Sequence, residues 1–520
     1  MSPADLPAGL RPLRVPPRTL SGLASHLHLA AGTDADHVPV TGVSHASGSV
    51  RPGDVYVAVA GEQTHGARFA VDAARRGASS LLTDAEGGRL AAGAGLPTLV
   101  CDDPRRLLGP AAAYVYDFPG AQVSVVGVTG TNGKTTVTSL LHAVLTDVHG
   151  AAGLIGTIET RIGDRVLPSV RTTPEASDLH AILGVLREEG ISTCALEVSS
   201  HALALGRVGG LVVDVAAFTN LSLDHQDFHR DMEDYFATKA ALFTPKHSRR
   251  GVVVVDDHWG RRLAEQAAVP VRTLAVAPDE PDHPVVQAAT WRVRSSAVEG
   301  TGSRAELVGP DGVVVDLRVP MPGLVNVANG ALTVALAAEL GIPPAQAAQA
   351  LADAPMVAGR MELVSAGRHP MVVVDYAHSP DALRTALATL RSGAPEPLVV
   401  VVGAGGDRDT SKREPMGRVA ATGADLVVVT DDNPRSEAPH AIRASVLSGA
   451  RGVDAARVME VPDRADAIAT AIRLAGSGTV LVAGKGHEQG QEVAGVVHPF
   501  DDRSVARAAL ATSVPARDEQ

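Results

Sequence analysis

The feature that most constrains this chain is a glycine-rich loop between an apolar run and a helix-like stretch. The apolar run covers Val123 to Val128, and the loop reads Gly130-Thr131-Asn132-Gly133-Lys134-Thr135-Thr136. In such a loop backbone N–H groups surround phosphate oxygens, a lysine reaches the terminal phosphates and a threonine hydroxyl can ligate Mg²⁺. The strict G-x-x-x-x-G-K-[ST] pattern fails because Val128 stands at its first glycine. We expect a variant ATP-binding phosphate loop; the alternative is an ordinary strand-to-helix turn.

The length and charge of the chain limit what it can bind. A chain of 520 residues is too long for one core, and its formal charge of −12 argues against a nucleic-acid surface or an anionic membrane partner. No apolar stretch is long enough to span a bilayer, and the N-terminus lacks the pattern of a signal peptide. We therefore expect a cytoplasmic, monomeric protein that attracts phosphates through local groups.

Strand-like apolar runs alternate with helical segments along most of the chain, which predicts an α/β fold with parallel sheets covered by helices. Residues 1–20 and the last residues after Ala511 have no periodicity, so we expect both ends to be disordered. We place three units at residues 21–121, 122–357 and 358–520, with a short antiparallel excursion over Trp291 to Val319. The strand-like runs are Val55–Val59, Val123–Val128, Thr193–Val198, Val212–Phe218, Val252–Val255, Val372–Val374, Val399–Val402, Leu426–Val429 and Val480–Ala483.

Polar motifs follow two neighbouring runs and predict a metal site. Glu197 opens E-V-S-S-H at the end of one run, and His225 lies in D-H-Q-D after the next. Mg²⁺ favours oxygen ligands, so Glu197 beside the loop threonine Thr135 is a sensible ligand pair, with His225 a less usual addition. The alternative is a surface ion pair for Glu197 and a loop-capping role for His225.

A helix-like segment from Met232 to Phe243 places Lys239 on the same stripe as Met232, Tyr235, Phe236 and Phe243. A lysine on an apolar face is usually solvated at its tip, but a desolvated amine has a lowered pKa. A neutral amine can take up CO₂ to form a carbamate. Such a carbamate on Lys239 behaves as a long carboxylate and can hold a second Mg²⁺.

Together these motifs resemble the Mur ligase family from about Val40 to Arg503. The resemblance implies an N-terminal UDP-sugar-binding domain, a central ATPase domain and a C-terminal Rossmann-like domain that binds the amino acid. It assigns ATP to the loop from Gly130 to Thr136, metal binding to Thr135, Glu197 and His225, and carbamylation to Lys239. Lys134, Lys239 and His225 are the expected catalytic residues.

The resemblance also implies contacts for the two nucleotides. The UDP-sugar peptide falls to Thr172, Thr173, Ser199 and Arg207, and its uridine side to Ser44, Glu62, Gln63 and Thr64. Val43-Ser44-His45 departs from the usual D-S-R of the family, and Leu205 replaces a polar residue of some members. Adenosine-side contacts fall to Asn326, Asn329, Arg360, Asp375 and His378, although each of these alone also fits a helix cap or a turn.

The third unit carries the indication of the amino-acid substrate. Polar motifs follow its strands, and D-N-P-R resembles the family signature for diaminopimelate. A guanidinium such as that of Arg435 binds a carboxylate with two parallel hydrogen bonds, and the acids Asp432 and Glu488 suit an ammonium. Lysine lacks the distal carboxylate and would leave the guanidinium poorly satisfied. The candidate diaminopimelate-binding residues are Arg408, Asp432, Asn433, Pro434, Arg435, Gly484 and Glu488.

The expected reaction is ATP-dependent addition of meso- or LL-diaminopimelate to UDP-N-acetylmuramoyl-L-Ala-D-Glu through an acyl phosphate, a step of peptidoglycan synthesis. A carboxylate needs this activation because it does not condense with an amine at neutral pH. Two alternatives differ in their requirements. A related Mur-type or folylpolyglutamate-type ligase would use another amine, and a phosphate-loop ATPase switch would respond to a protein partner.

Overall fold

The structure is a computed structural model that describes residues 10–61, 63–224, 228–365, 370–453 and 455–513. Within these ranges, three larger sheets follow one another along the chain, with four, eleven and six strands. The predicted boundaries near residues 121 and 357 fall in the intervals between these sheets. The described part of the chain contains no helix that is long and apolar enough to span a membrane.

The N-terminal unit is built on a parallel sheet in the order β3-β4-β5-β6, beside a two-stranded antiparallel ribbon of β1 and β2. Its strands are β1 (Arg18–Thr19), β2 (Pro39–Val40), β3 (Gly42–Ser44), β4 (Asp54–Val57), β5 (Ser80–Thr83) and β6 (Thr98–Val100). Its helices are α1 (Leu20–His26), α2 (Ala70–Arg75), α3 (Ala85–Leu90) and α4 (Pro104–Val115).

The expectation of disorder over residues 1–20 is wrong for residues 10–20, the part that the structure describes. Leu10 is buried in the core of the central unit, and Arg11 pairs with the buried carboxylate of Asp54. Thr19 caps α1 by accepting a hydrogen bond from the Gly22 N–H at 3.2 Å. One apolar side chain and one buried ion pair are enough to fix a segment that has no periodicity of its own.

The central sheet has the order β10-β9-β8-β11-β7-β12-β13-β14-β15-β16-β17, with a parallel core from β8 to β15. Its strands are β7 (Ser124–Thr129), β8 (Gly153–Ile155), β9 (Glu159–Ile162), β10 (Arg165–Pro168), β11 (Thr193–Glu197), β12 (Val213–Phe218), β13 (Ser248–Val254), β14 (Val271–Ala275), β15 (Trp291–Glu299), β16 (Gly302–Val308) and β17 (Val314–Val319). The antiparallel excursion is confirmed as β15 to β17, but it extends the main sheet instead of standing apart.

Helices cover both faces of the central sheet because the residues of β7 alternate between two cores. Val126 and Val128 face one core and Val125 faces the other, which is the pattern of a strand buried on both sides. The helices are α5 (Lys134–His149), α6 (Ala176–Glu188), α7 (Ser200–Ala204), α8 (Met232–Ala240), α9 (His258–Gln266), α10 (Pro284–Gln287), α11 (Leu324–Glu339) and α12 (Pro344–Ala352).

The C-terminal unit has a sheet in the order β18-β19-β23-β20-β21-β22, parallel except for β18, and a separate hairpin of β24 and β25. Its strands are β18 (Glu362–Leu363), β19 (Met371–Asp375), β20 (Leu398–Val402), β21 (Leu426–Val429), β22 (Arg457–Glu460), β23 (Thr479–Ala483), β24 (Gly490–Val493) and β25 (Val496–Pro499). Its helices are α13 (Pro380–Arg391), α14 (Arg413–Gly423), α15 (Pro439–Arg451), α16 (Arg464–Ala475) and α17 (Asp502–Ser513). The α/β fold class predicted from the sequence is confirmed.

Candidate functional site

The glycine-rich loop connects β7 to the N-terminus of α5, as its sequence predicts. Gly130 and Gly133 have backbone φ angles of +144° and +88°, which residues other than glycine rarely adopt. A Cβ on Gly130 would lie 1.9 Å from the Thr219 hydroxyl oxygen, and one on Gly133 would lie 2.6 Å from Asn329 Oδ1. The loop therefore needs glycine at both positions. The N-terminus of α5 that follows this loop is suited to bind phosphate.

Asn220, just after β12, the strand beside β7 in the sheet, holds this loop in place. The Thr131 N–H donates to the Asn220 carbonyl at 2.9 Å, and the Asn132 N–H donates to Asn220 Oδ1 at 3.1 Å. Thr136 is buried in the first turn of α5. A residue about ninety positions away in the sequence thus fixes the backbone of the loop.

Two lysines converge on one carbonyl oxygen of the loop. Lys134 Nζ donates to the carbonyls of Gly130 and Thr131 at 2.9 and 2.8 Å, and Lys239 Nζ donates to the Gly130 carbonyl at 2.9 Å. Burial and the neighbouring Lys134 hold the pKa of Lys239 well below its usual value, and burial also lowers the pKa of Lys134. This pair of cations is suited to a strongly anionic ligand or to a change in the charge of Lys239.

Lys239 occupies the buried face of α8 that the sequence predicted. Its side chain is 1% exposed, beside Tyr235 and Phe236, and its Nζ lies 4.5 Å from the centre of the Tyr235 ring. An ammonium over an aromatic face gains some attraction, but this does not replace the water that the buried amine has lost. The surroundings therefore favour a neutral amine.

Glu197 is a buried carboxylate directly beside the loop threonine. Its Oε2 accepts hydrogen bonds from the hydroxyls of Thr135 and Thr157, both at 3.0 Å, and its Oε1 accepts one from the Thr157 N–H at 2.7 Å. The side chain is 1% exposed, so these donors fix its orientation. Thr157 was missed at the level of sequence; its only signal was its place in the loop after β8.

The donor set at this point fits Mg²⁺. A carboxylate and a threonine hydroxyl lie together at the phosphate loop, and both are oxygen ligands of the kind that Mg²⁺ takes beside nucleotide phosphates. No group of three or more His, Cys, Asp or Glu that could hold a metal occurs among the described residues. His225, the third predicted ligand, lies outside the described residues.

The predicted UDP-sugar peptide contacts lie next to Glu197. The hydroxyl oxygens of Thr172 and Thr157 lie 3.0 Å apart, within hydrogen-bond distance, and the Thr173 hydroxyl donates to the Glu197 carbonyl at 2.7 Å. The Ser199 N–H donates to the Thr173 hydroxyl at 3.1 Å, while Arg207 lies against the Thr173 carbonyl at 3.5 Å. The structure brings these four predicted residues together.

Around Arg207 a group of arginines surrounds one buried carboxylate. Glu175 pairs with Arg105 and Arg171 at 2.6 Å and with Arg207 at 3.0 Å. Burial opposes ionisation of Glu175, but His45 and these arginines outweigh it and hold the pKa of Glu175 below its usual value. With three arginines and one glutamate the group is cationic. It lies where α4 of the N-terminal unit meets the central unit.

The predicted uridine-side residues lie in two different settings of the N-terminal sheet. Ser44 is buried at the end of β3 and donates from its hydroxyl to the Ala46 carbonyl at 2.9 Å. Gln63 and Thr64 are exposed in a turn closed by the Gly61 N–H and the Thr64 carbonyl. Glu62 lies outside the described residues.

The predicted adenosine-side residues separate into two groups. Asn329 lies beside the phosphate loop next to Gly133, and its side-chain amide donates to Asn326 Oδ1 at 3.3 Å. Arg360 comes from the start of the C-terminal unit, and its Nη2 donates to the Thr135 hydroxyl at 3.2 Å. Asp375 accepts the Met361 N–H at 2.7 Å and so fixes the segment that carries Arg360. Arg360 thus lies at the phosphate end of the site, where Thr135 meets Glu197.

The D-N-P-R motif follows β21 and faces the G-K-G-H-E turn after β23. Asn433 Nδ2 donates to Glu488 Oε2 at 2.7 Å, and Asp432 and Pro434 are buried beside it. Arg435 has a φ of +52° and donates from Nη1 to the Gly406 carbonyl, while Arg408 of the neighbouring loop is exposed. Gly484 packs against the Asp432 carboxylate. These predicted residues lie close together at the carboxyl edge of the C-terminal sheet.

The comparisons with known proteins agree over most of the chain. Family profiles match the Mur ligase family catalytic domain over residues 39–116, the Mur ligase middle domain over 128–338 and the Mur ligase glutamate ligase domain over 359–486. The chain is 49% identical over 508 residues to a UDP-N-acetylmuramoyl-L-alanyl-D-glutamate--2,6-diaminopimelate ligase of Streptomyces coelicolor, covering 97% of this chain and 98% of that relative.

Solved structures give the same result. A UDP-N-acetylmuramoyl-L-alanyl-D-glutamate--2,6-diaminopimelate ligase matches with a TM-score of 0.67 at 29% identity, covering 94% of this chain and 98% of that one. A MurF ligase from Thermotoga maritima in complex with ADP matches with a TM-score of 0.59 at 18% identity, covering 91% and 97%. At that identity the second likeness shows the fold alone.

Proposed function

The chain belongs to the Mur ligase family, and from this we propose that it is an ATP-dependent amide ligase that adds 2,6-diaminopimelate to UDP-N-acetylmuramoyl-L-alanyl-D-glutamate. The observation that carries this proposal is the meeting at Thr135 of Glu197 from the central sheet and Arg360 from the C-terminal unit. Relatives that are similar over nearly the whole chain bear that activity in their names. The reaction belongs to peptidoglycan precursor synthesis, and we place it in the cytoplasm because ATP and UDP-linked precursors are found there.

In the first half of the proposed reaction, a carboxylate oxygen of the D-glutamyl residue attacks the γ-phosphorus of ATP. The bond from that phosphorus to the leaving ADP oxygen breaks, and an acyl phosphate results. Lys134 and the N–H groups at the N-terminus of α5 balance negative charge that develops on the phosphoryl oxygens. Arg360 adds a guanidinium at Thr135 to the ammonium of Lys134, so packing of the C-terminal unit on the loop completes the charge balance.

Metal binding falls to the oxygen donors described above. Thr135 and Glu197 would hold one Mg²⁺, and a carbamate on Lys239 would hold another; His225 is the further ligand expected from the sequence. When bound, Mg²⁺ neutralises phosphate charge.

In the second half, an amine of diaminopimelate attacks the acyl carbon, phosphate leaves and the nitrogen loses a proton. The pocket of Asp432 to Arg435 and Glu488 holds the far end of the substrate, with the guanidinium on its carboxylate and an acid on its ammonium. The cationic group around Glu175 and the hydroxyls of Thr172 and Thr173 would orient the UDP-linked dipeptide. Both substrates then meet at the phosphate loop.

The proposal predicts phosphate release only when ATP, the UDP-dipeptide and diaminopimelate are all present. We expect release with meso- or LL-diaminopimelate and much weaker release with L-lysine, because lysine leaves Arg435 without its carboxylate. The measurement is coupled-assay phosphate release with each amino acid in turn, together with mass analysis of the product. Release without any amino acid would instead favour an ATPase switch, and a preference for another amine would favour a different ligase of the family.

A further inference from the structure

Lys485 is a fully buried lysine directly beneath the D-N-P-R motif. Its side chain is 0% exposed, and it sits between Gly484 and Gly486, whose φ angles are +116° and +52°. A Cβ on Gly484 would lie 2.5 Å from Asp432 Oδ2, and one on Gly486 would lie 2.7 Å from the Tyr376 Cβ. The two glycines therefore allow a tight turn that directs the lysine under the pocket.

The lysine contacts two residues of the proposed amino-acid pocket. Its Nζ donates to Asn433 Oδ1 at 3.0 Å and to Glu488 Oε2 at 3.2 Å, and Asn433 Nδ2 donates to the same Glu488 oxygen at 2.7 Å. Both donors thus fall on Oε2 of Glu488, whose Oε1 has no hydrogen-bond donor in the described ranges. The free oxygen belongs to a side chain that is 32% exposed, so a ligand can reach it.

Arg464 is a second buried cation beneath the D-N-P-R motif. Arg464 is 0% exposed and pairs with Asp502 through two hydrogen bonds of 2.7 Å, and its Nη1 lies 3.9 Å from Asp432 Oδ2. We call the five side chains joined by these contacts the floor of the pocket. They are two cations, Lys485 and Arg464, and three carboxylates, Asp432, Glu488 and Asp502. Two positive and three negative charges leave one net negative charge, which one ammonium of a substrate balances.

The chain uses lysine sparingly, which makes this buried position informative. Five of its 46 basic residues are lysines, and the other 41 are arginines. Lys485 donates from a compact ammonium to two acceptors that lie on different residues. A planar guanidinium is larger and has its donors in a fixed fork, so the site requires a point-like cation.

We propose that Lys485 is a positioning residue for the amino-acid substrate. It fixes Asn433 and Glu488 in one arrangement and sets the floor to a single negative charge, so that the pocket accepts a head group with one ammonium and one carboxylate. Arg435 on the rim supplies the carboxylate partner; its Nε is 3.7 Å from the more exposed Glu492. This inference rests on the proposed function, since it assumes that diaminopimelate is the substrate.

The test compares Lys485→Met, which has a similar length without charge, and Lys485→Gln, which keeps a donor, with Lys246→Met at an exposed lysine. We expect the KM for diaminopimelate to rise by about tenfold or more in the Met variant, because small misplacements at such sites have large effects. The KM values for ATP and the UDP-dipeptide are expected to change less than about twofold, and Lys246→Met is expected to match the wild type. Thermal unfolding of each variant checks that it is folded.

Two further readouts separate positioning from a general structural role. The preference for diaminopimelate over 2-aminopimelate, which lacks the distal amine, is expected to fall in Lys485→Met. The double variant Lys485→Met with Glu488→Gln should raise the KM for diaminopimelate no further than the worse single variant, because both residues act through one contact. Equal rises in all three KM values, independent effects in the double variant, or failure of both Lys485 variants to fold would overturn the positioning role. A wild-type enzyme inactive with diaminopimelate would instead overturn the proposed function.

Discussion

Replacing Lys239 by alanine is expected to lower turnover by about a hundredfold or more while the fold is kept, as for other groups that balance charge in a transition state. The reason is the contact between two lysines at the Gly130 carbonyl, where an ammonium on Lys239 would be repelled by Lys134. If the neutral amine of Lys239 adds CO₂, an N–C bond forms, one proton leaves and the charge at this position changes from zero to negative. The carbamate then attracts Lys134, and a ligand for a cation is created beside the phosphate loop.

The pH dependence of the Lys239 effect has a definite sign. Because the pKa of Lys239 is well below its usual value, the neutral amine that reacts with CO₂ is available near neutral pH and declines as the pH falls. We expect wild-type activity to depend more strongly on added bicarbonate at pH 6 than at pH 8. The measurement is turnover with and without bicarbonate, together with a ¹³C carbamate signal after labelling with ¹³C-bicarbonate.

The free energy of unfolding provides a control for substitutions of Lys239. The unfolded chain protonates Lys239 up to about pH 10.4, whereas the folded chain resists protonation, so the buried amine lowers the free energy of unfolding at neutral pH. Lys239→Met should therefore be at least as stable as the wild type near pH 7, and its advantage should shrink as the pH approaches about 10.4. Lys246→Ala, at an exposed lysine, should change neither the turnover nor the free energy of unfolding. A fully active Lys239→Ala enzyme would eliminate the carbamate.

The sequence predicted the elements whose signals are local. Runs of Val and Leu marked the parallel strands, because strands buried on both faces are apolar along their whole length. The glycines of the phosphate loop and the stripe that buries Lys239 beside Tyr235 were equally readable, since both depend on spacing within one segment. Residues that follow strands gathered at the carboxyl edges of two sheets, as the topology requires.

Other parts of the site depend on contacts between distant segments, and no local pattern encodes them. Arg360 and Thr135 are 225 residues apart in the chain, and their hydrogen bond arises only when the C-terminal unit packs on the phosphate loop. Thr157 orients Glu197 from another strand connection, and Leu10 enters the central core from a segment that has no period. Tertiary packing sets these contacts.

The departure at Val43-Ser44-His45 shows how the structure adds to a motif comparison. His45 reaches from the N-terminal sheet to the Ser177 hydroxyl at 3.3 Å, so it joins the two units where the family's arginine was expected. Cations at this junction come from Arg105, Arg171 and Arg207 around Glu175. The loss of one arginine at position 45 therefore does not leave the junction without positive charge.

Replacing Arg435 by alanine is expected to lower kcat/KM for diaminopimelate by about a hundredfold, or about 3 kcal/mol, the upper range for hydrogen bonds to a charged group. The Arg435 backbone is fixed in the left-handed region by two hydrogen bonds to the β24 hairpin, from its own N–H to the Glu492 carbonyl at 2.9 Å and from the Ala494 N–H at 2.7 Å. The Gly406 carbonyl accepts a hydrogen bond from Nη1, and Nε lies 3.7 Å from Glu492 Oε2, while the side chain of Arg435 is 24% exposed. Alanine keeps a Cβ on this backbone, so the substitution removes the side chain alone.

The decisive quantity for Arg435 is the ratio of kcat/KM for diaminopimelate to kcat/KM for L-lysine. L-lysine lacks the distal carboxylate, so its low kcat/KM should change little in Arg435→Ala, and the ratio should fall by about the same hundredfold. Arg435→Lys should also lose most of the preference, because an ammonium cannot form two parallel hydrogen bonds to a carboxylate. Arg418→Ala, at an exposed arginine of α14, is the matched control. If both amino acids lost activity equally, Arg435 would support the pocket without selecting its ligand, and the carboxylate would have to be recognised by another group.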